Sequence, residues 1–221
     1  MGTQSTISQN YRWQLCVEFC LLFVAAPVLI ATLLPATVMF TALFALTALG
    51  LGLLHITLGF RWHFLREGIS EIKLGETLVF TALMFIACFG VMRIFASEAA
   101  FFLLRNEPLL LLMILIFYPI VSALPQELVF RPLFFRRYKA ILPDGAASIW
   151  LNAALFSLAH LMYWSWIVAI MTFIGGLIFA HSYKERRSLP LAVLQHAIAG
   201  NIIFLVGLGV FFYSGNVVRP F

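Results

Sequence analysis

The chain has 221 residues, of which 63% are hydrophobic and only 10% charged, and its mean hydropathy is strongly positive. That composition excludes an ordinary soluble domain, and the length leaves no room for a soluble catalytic or nucleotide-binding module beside a set of membrane spans. The net charge of +5 invites a nucleic-acid reading, but the placement of basic residues in loops accounts for it better.

The N-terminal stretch, MGTQSTISQ, is polar and lacks the charged, apolar, small-residue plan of a cleaved signal peptide. Seven apolar segments follow, near 14–34, 36–58, 75–96, 107–130, 146–163, 165–181 and 189–213. They predict an all-α, polytopic transmembrane helix bundle of about seven spans, with eight as the upper reading. The whole chain, 1–221, reads as a single membrane domain. Pro35 breaks the first two segments apart. Residues 59–74, GFRWHFLREGISEIKL, mix aromatic and charged side chains as a segment lying at a membrane interface does. Cys16, Cys20 and Cys88 all fall inside apolar runs and read as small hydrophobes.

Placing the N-terminus in the cytoplasm and alternating sides puts Arg12, Arg61, Arg66, Lys73, Arg136, Arg137, Lys139, Lys184, Arg186 and Arg187 inside. Arg93, Arg105 and Arg219 are left outside, and Arg131 is set apart within an apolar run. That asymmetry is what the positive-inside rule expects, and it predicts a cytoplasmic N-terminus. It also predicts a lipid bilayer, not a nucleic acid, as the partner of the basic loops. A compact chain without a retention tail favours a bacterial cytoplasmic membrane.

Ionisable side chains within spans cost about 2.5–3.5 kcal/mol each on insertion scales, so they usually face the bundle interior and mark function. Glu18, Glu127, Arg131, His160 and His196 are the candidates. Glu18 calls for a partner on another span, and Arg131 is one possibility. Glu127 and Arg131 are four residues apart with the carboxylate N-terminal, the favoured order for a helical ion pair; the pair reads equally as a structural clamp. Phe156 and His160, in FSLAH, repeat that spacing. His196, in HAIAGN, stands before the small-residue turn containing Gly200 and Asn201, where another backbone can approach closely. His181, at a loop end, reads as interfacial, and Gly175 and Gly176 as a close-packing site.

Taken together, these residues form a plausible proteolytic set. A carboxylate and a histidine can activate water, and a second histidine with Asn201 can donate hydrogen bonds to the oxyanion. Arg131 would hold the carboxylate ionised. Glu127, His160 and His196 could also ligate zinc, but their spacing is not that of helix-borne metalloproteases and the carboxylate already has a partner. No cofactor is expected, with zinc as the minority reading.

The order QELVFR, FSLAH, HAIAGN resembles the intramembrane family of CAAX prenyl proteases and bacteriocin-processing enzymes, whose pattern is a glutamate doublet followed after three residues by arginine, then F-x-x-x-H, then H-x-x-x-N or D. The resemblance covers about residues 115–212, the motif-bearing core. It implies a glutamate-type endopeptidase cutting a membrane-anchored protein or peptide near its C-terminus. It places Glu127 and Arg131 on the second glutamate and the arginine, Phe156 and His160 on the second motif, and His196 on the third. Two positions depart from the pattern. Gln126 replaces the first glutamate, and Gly200 stands where Asn or Asp is expected, with Asn201 one residue late. Gln126 can orient a water but cannot take its proton. Three explanations stand open: Glu127 serves as base in a divergent subgroup, the member has lost catalysis, or the glutamine is an inactivating change. A non-catalytic relative would act as a peptide-binding, immunity or scaffold protein. A small transporter is the weaker rival, since no paired broken helices recur in two halves.

The topology also sets a geometrical question. Glu127 and His196 lie toward the inner side, whereas His160 falls deeper along its segment. Either that span begins lower, or the site sits near mid-membrane in a water-filled cavity, which hydrolysis requires.

Overall fold

The computed structural model describes residues 9–217, 219 and 220, so the polar N-terminal stretch to residue 8 lies outside the described residues. Among those residues every regular element is helical. In chain order they are α1 (Gln9–Leu33), α2 (Met39–His55), α3 (Leu74–Phe95), the short α4 (Phe102–Asn106), α5 (Pro108–Arg137), α6 (Ala147–Ala159), α7 (Trp166–Lys184), α8 (Leu189–Val206) and the short α9 (Gly209–Phe212).

Each of the seven apolar segments contains a helix, but they are unequal. Five of them, α1, α3, α5, α7 and α8, are long and apolar enough to cross a membrane. At 1.5 Å per residue the 17 residues of α2 reach about 26 Å and the 13 of α6 about 20 Å, short of a ~30 Å hydrocarbon core. The expectation of seven full spans therefore reduces to five span-length helices with two shorter apolar ones. Five such helices make the chain an integral membrane protein, and its outer surface agrees: Leu78, Val79, Leu83, Ile86 and Ile94 of α3 are all exposed, as lipid-facing side chains must be.

The loops gather at two ends. At one, Arg137 binds Glu18 and the Leu53 carbonyl, Arg186 spans Glu71 and Glu76, and Ser188 donates to the Gly68 carbonyl at 2.7 Å. At the other, the Phe101 amide donates to the Val206 carbonyl at 3.0 Å, and Tyr163 reaches Met39. Residues 59–74 form two single-turn 3-10 helices, with Trp62 and Ile69 exposed beside Arg61 and Arg66.

Local chemistry sets the inner helix limits. Ser165 caps α7 through the Val168 amide, and Ser188 caps α8 through the Leu191 amide with Pro190 in its first turn. Gly207, at φ +107°, ends α8 in the left-handed conformation that glycine adopts without a Cβ penalty. Half of the apolar window of α8 is buried against 11% for α3, so α8 is central and α3 peripheral. Gly176 lets α7 close on α6: a Cβ there would stand 2.9 Å from the Ala153 Cα. Gly175 instead faces only the flexible end of Phe179.

α5 carries the most irregular backbone. It passes through π-helical turns at Pro119–Ala123 and Val129–Arg137, both at prolines that cannot donate to the ladder. Pro119 leaves the carbonyl of Leu115, four residues back, without its helical donor. α8 supplies one: the Asn201 side-chain amide donates to that carbonyl at 3.1 Å.

Candidate active site

Glu127 and Arg131 face inward from α5 with no solvent exposure on either side chain. Arg131 Nε donates to Glu127 Oε2 at 2.7 Å and Nη2 to Oε1 at 3.2 Å, a two-pronged pair within one turn. The same guanidinium donates through Nη1 to Asn152 of α6, whose amide in turn donates to the Phe130 carbonyl at 2.8 Å. Its cationic carbon lies 5.2 Å from the centre of the Phe156 ring and 5.9 Å from that of Phe179. Two buried charges are thus neutralised by each other and satisfied by neighbours, which is what their burial demands.

His196, near mid-length of α8, completes the cluster. Its Nδ1 lies 3.0 Å from Glu127 Oε1, and its Nε2 lies 3.2 Å from the Tyr118 hydroxyl. The carboxylate can only accept, so Nδ1 carries a proton, and in the neutral ring Nε2 then holds the lone pair. Phe179 of α7 stacks on the imidazole at 5.0 Å with an 11° interplanar angle. Phe156 meets it edge-on at 5.6 Å.

His160 approaches from the other side of Phe156. The rings of Phe156 and His160 are 4.7 Å apart, and His160 Nδ1 lies 2.7 Å from the Phe156 carbonyl. A carbonyl accepts only, so Nδ1–H is the donor and Nε2 keeps its lone pair. No described residue hydrogen-bonds that nitrogen. His160 is the residue that closes α6, not one inside it: the helix ends at Ala159 and the chain turns through Leu161–Tyr163.

Glu127 is ten residues, about 15 Å, from the Arg137 end of α5, and His196 is near the middle of α8. His160 follows the last residue of α6, and its ring joins the cluster through Phe156.

The structure brings Glu127, Arg131, Phe156, His160 and His196 together, and leaves three motif-associated residues in other roles. Gln126 is partly exposed and donates to Ser122 Oγ at 3.0 Å, along its own helix. Gly200 lies under Tyr118, where a Cβ would overlap the ring. Asn201, expected beside His196 as an oxyanion donor, faces α5 instead, because one residue along a helix turns a side chain by about 100°; its amide is committed to the carbonyl freed by Pro119. Asn201→Ala should therefore act on stability: thermal unfolding in detergent should show a loss of about 1–3 kcal/mol for the orphaned carbonyl, with the His196 contacts intact.

Glu127 itself differs from the expected water-activating base. Its two oxygens meet Arg131 and His196, and none of its surface is open. Among the described residues no group of three or more His, Cys, Asp or Glu side chains is placed to hold a metal ion. Glu18 does have a partner, but it is Arg137 and not Arg131, with Arg137 Nη2 donating at 2.7 Å and the Tyr138 hydroxyl at 2.5 Å. Burial, and then the carboxylate it bonds, push the Tyr138 phenol up, so it stays a donor. His181 is exposed, and the three cysteines are free thiols.

Tyr118, Asn152 and Phe179 do not stand out in the sequence. Asn152 has a signal, an amide within an apolar run and one turn before Phe156. Tyr118 and Phe179 have none, being aromatic residues among many.

Residues 108–202 match the family model described as type II CAAX prenyl endopeptidase Rce1-like, a range that takes in all three motifs. No curated protein and no solved structure matches the chain.

Proposed function

Residues 108–202 match the Rce1-like family model, and from that match we propose that the chain belongs to this family of CAAX-type intramembrane proteases and is an active intramembrane endopeptidase. Its substrate is a membrane-anchored protein or peptide cut near its C-terminus. The observation that carries the reading is the pair of imidazoles fixed by acceptors on Nδ1, His196 by Glu127 and His160 by the Phe156 carbonyl. No described residue bonds the Nε2 of His160, whereas that of His196 meets the Tyr118 hydroxyl. Orientation of an imidazole by a carboxylate or carbonyl is the arrangement that general-base catalysis uses.

In this reading His160 Nε2 takes the proton of the attacking water, since no described residue occupies it. The water oxygen bonds to the scissile carbonyl carbon, and the proton held on His160 passes to the departing amine as the C–N bond breaks. His196 lines the same region, its one N–H held by Glu127. Glu127 acts through His196, and Arg131 keeps the carboxylate ionised. A cytoplasmic N-terminus and a bacterial cytoplasmic membrane complete the proposal; the segregation of basic residues to one end supports the first.

A second reading rests on Gln126 and on the enclosure of Glu127: with no carboxylate open to water, the chain would bind peptides without cutting them. Comparing peptide termini in membranes carrying the natural chain or His196→Ala separates the two. New termini with the natural chain alone are expected; identical termini from two folded, inserted proteins would favour the binding protein.

A further inference from the structure

We propose that Tyr118 is a positioning residue for His196, and that Gly200, a departure from the motif pattern, is what makes room for it. The importance of His196 rests on the peptidase reading above; the arrangement itself does not.

The first part is steric. A side chain at position 200 would project into the space that the Tyr118 ring fills, its Cβ overlapping Cε1, Cζ and the hydroxyl. Glycine at 200 is what admits the ring. Phe204, one turn further along α8, braces it edge-on with centroids 5.8 Å apart. The ring then presents its hydroxyl to His196 Nε2 at 3.2 Å. A polar group that cannot come from position 200 thus reaches the imidazole from α5.

The second part is the direction of the hydrogen bonds. Glu127 accepts from His196 Nδ1, so in the neutral ring Nε2 is an acceptor and the Tyr118 O–H donates to it. Tyr118, His196 and Glu127 then run in one direction, each group donating to the next, and glycine at 200 leaves the space that the first of them needs.

The full-length chain, labelled with 15N-histidine in detergent, tests this by the ring-nitrogen signals of His196, identified by their loss in His196→Gln. The natural chain should show one neutral tautomer protonated at Nδ1. Tyr118→Phe keeps the ring over Gly200 but removes the hydroxyl, and should shift the Nε2 signal away from its hydrogen-bonded position. Thermal unfolding adds the steric half: Gly200→Asn should be strongly destabilised, and adding Tyr118→Ala should recover much of that loss. Unchanged imidazole signals in Tyr118→Phe, or a Gly200→Asn variant as stable as the natural chain, would overturn the proposal. None of these readings depends on cleavage, so a chain that cuts nothing can still carry the arrangement, and a cutting chain can lack it.

Discussion

Arg131→Met should lower stability by about 3–5 kcal/mol, the cost of leaving a buried carboxylate without its counter-charge. The figure applies because both side chains of the pair have no exposed surface, so neither water nor lipid headgroups can solvate Glu127 once the guanidinium is gone. The same substitution strands Asn152, whose carbonyl oxygen Arg131 occupies. Thermal unfolding in detergent reads the loss. The double variant Glu127→Gln with Arg131→Met should recover part of it, because replacing both buried charges removes the uncompensated one. The rim pair is the internal control. Arg137 and Glu18 retain 9% and 26% side-chain exposure, so Arg137→Met leaves a carboxylate that polar surroundings can reach, and its cost should be smaller. Equal losses at the two sites would show that the Glu127 pocket is wetter than its burial implies.

Much of this arrangement is legible in the sequence, and the limits have physical causes. Long apolar runs announce helices because the backbone must satisfy its own hydrogen bonds in lipid, so all seven segments contain one. Their lengths are not legible. α6 stops at Ala159 although the apolar run continues to Tyr163, so His160 stands at the helix end and not within it. The Glu127–Arg131 pair follows from helical spacing alone, since residues four apart share a face whatever the fold. Pairings between helices have no such rule. Glu18 can be known to need a partner, but Arg137 is one of several arginines that could reach it. Asn201 illustrates the hardest case. Pro119, which it faces across the helix interface, removes a donor from α5, and the carbonyl so exposed is what holds the amide. That relation joins residues far apart in the chain, and no local pattern encodes it.

His160→Ala should lower the cleavage rate by about 10²–10⁴, the range that a positioned acid–base group contributes, while the folded state persists. Stability should be largely retained because His160 closes α6, and its ring bonds only a carbonyl on its own helix. Gln126→Glu is the comparison that decides where the proton goes. With His160 as the base, a new carboxylate adds nothing at the water and removes the donor that Gln126 gives Ser122, so the rate should fall several-fold. If the missing element were instead a carboxylate at 126, the same variant would gain rate while His160→Ala kept most of its own. Rates measured on a peptide identified from the natural chain's new termini separate these orders. The expected order, natural chain above Gln126→Glu and both far above His160→Ala, follows from one structural fact: Glu127 is enclosed by Arg131 and His196, whereas the Nε2 lone pair of His160 is bonded by no described residue.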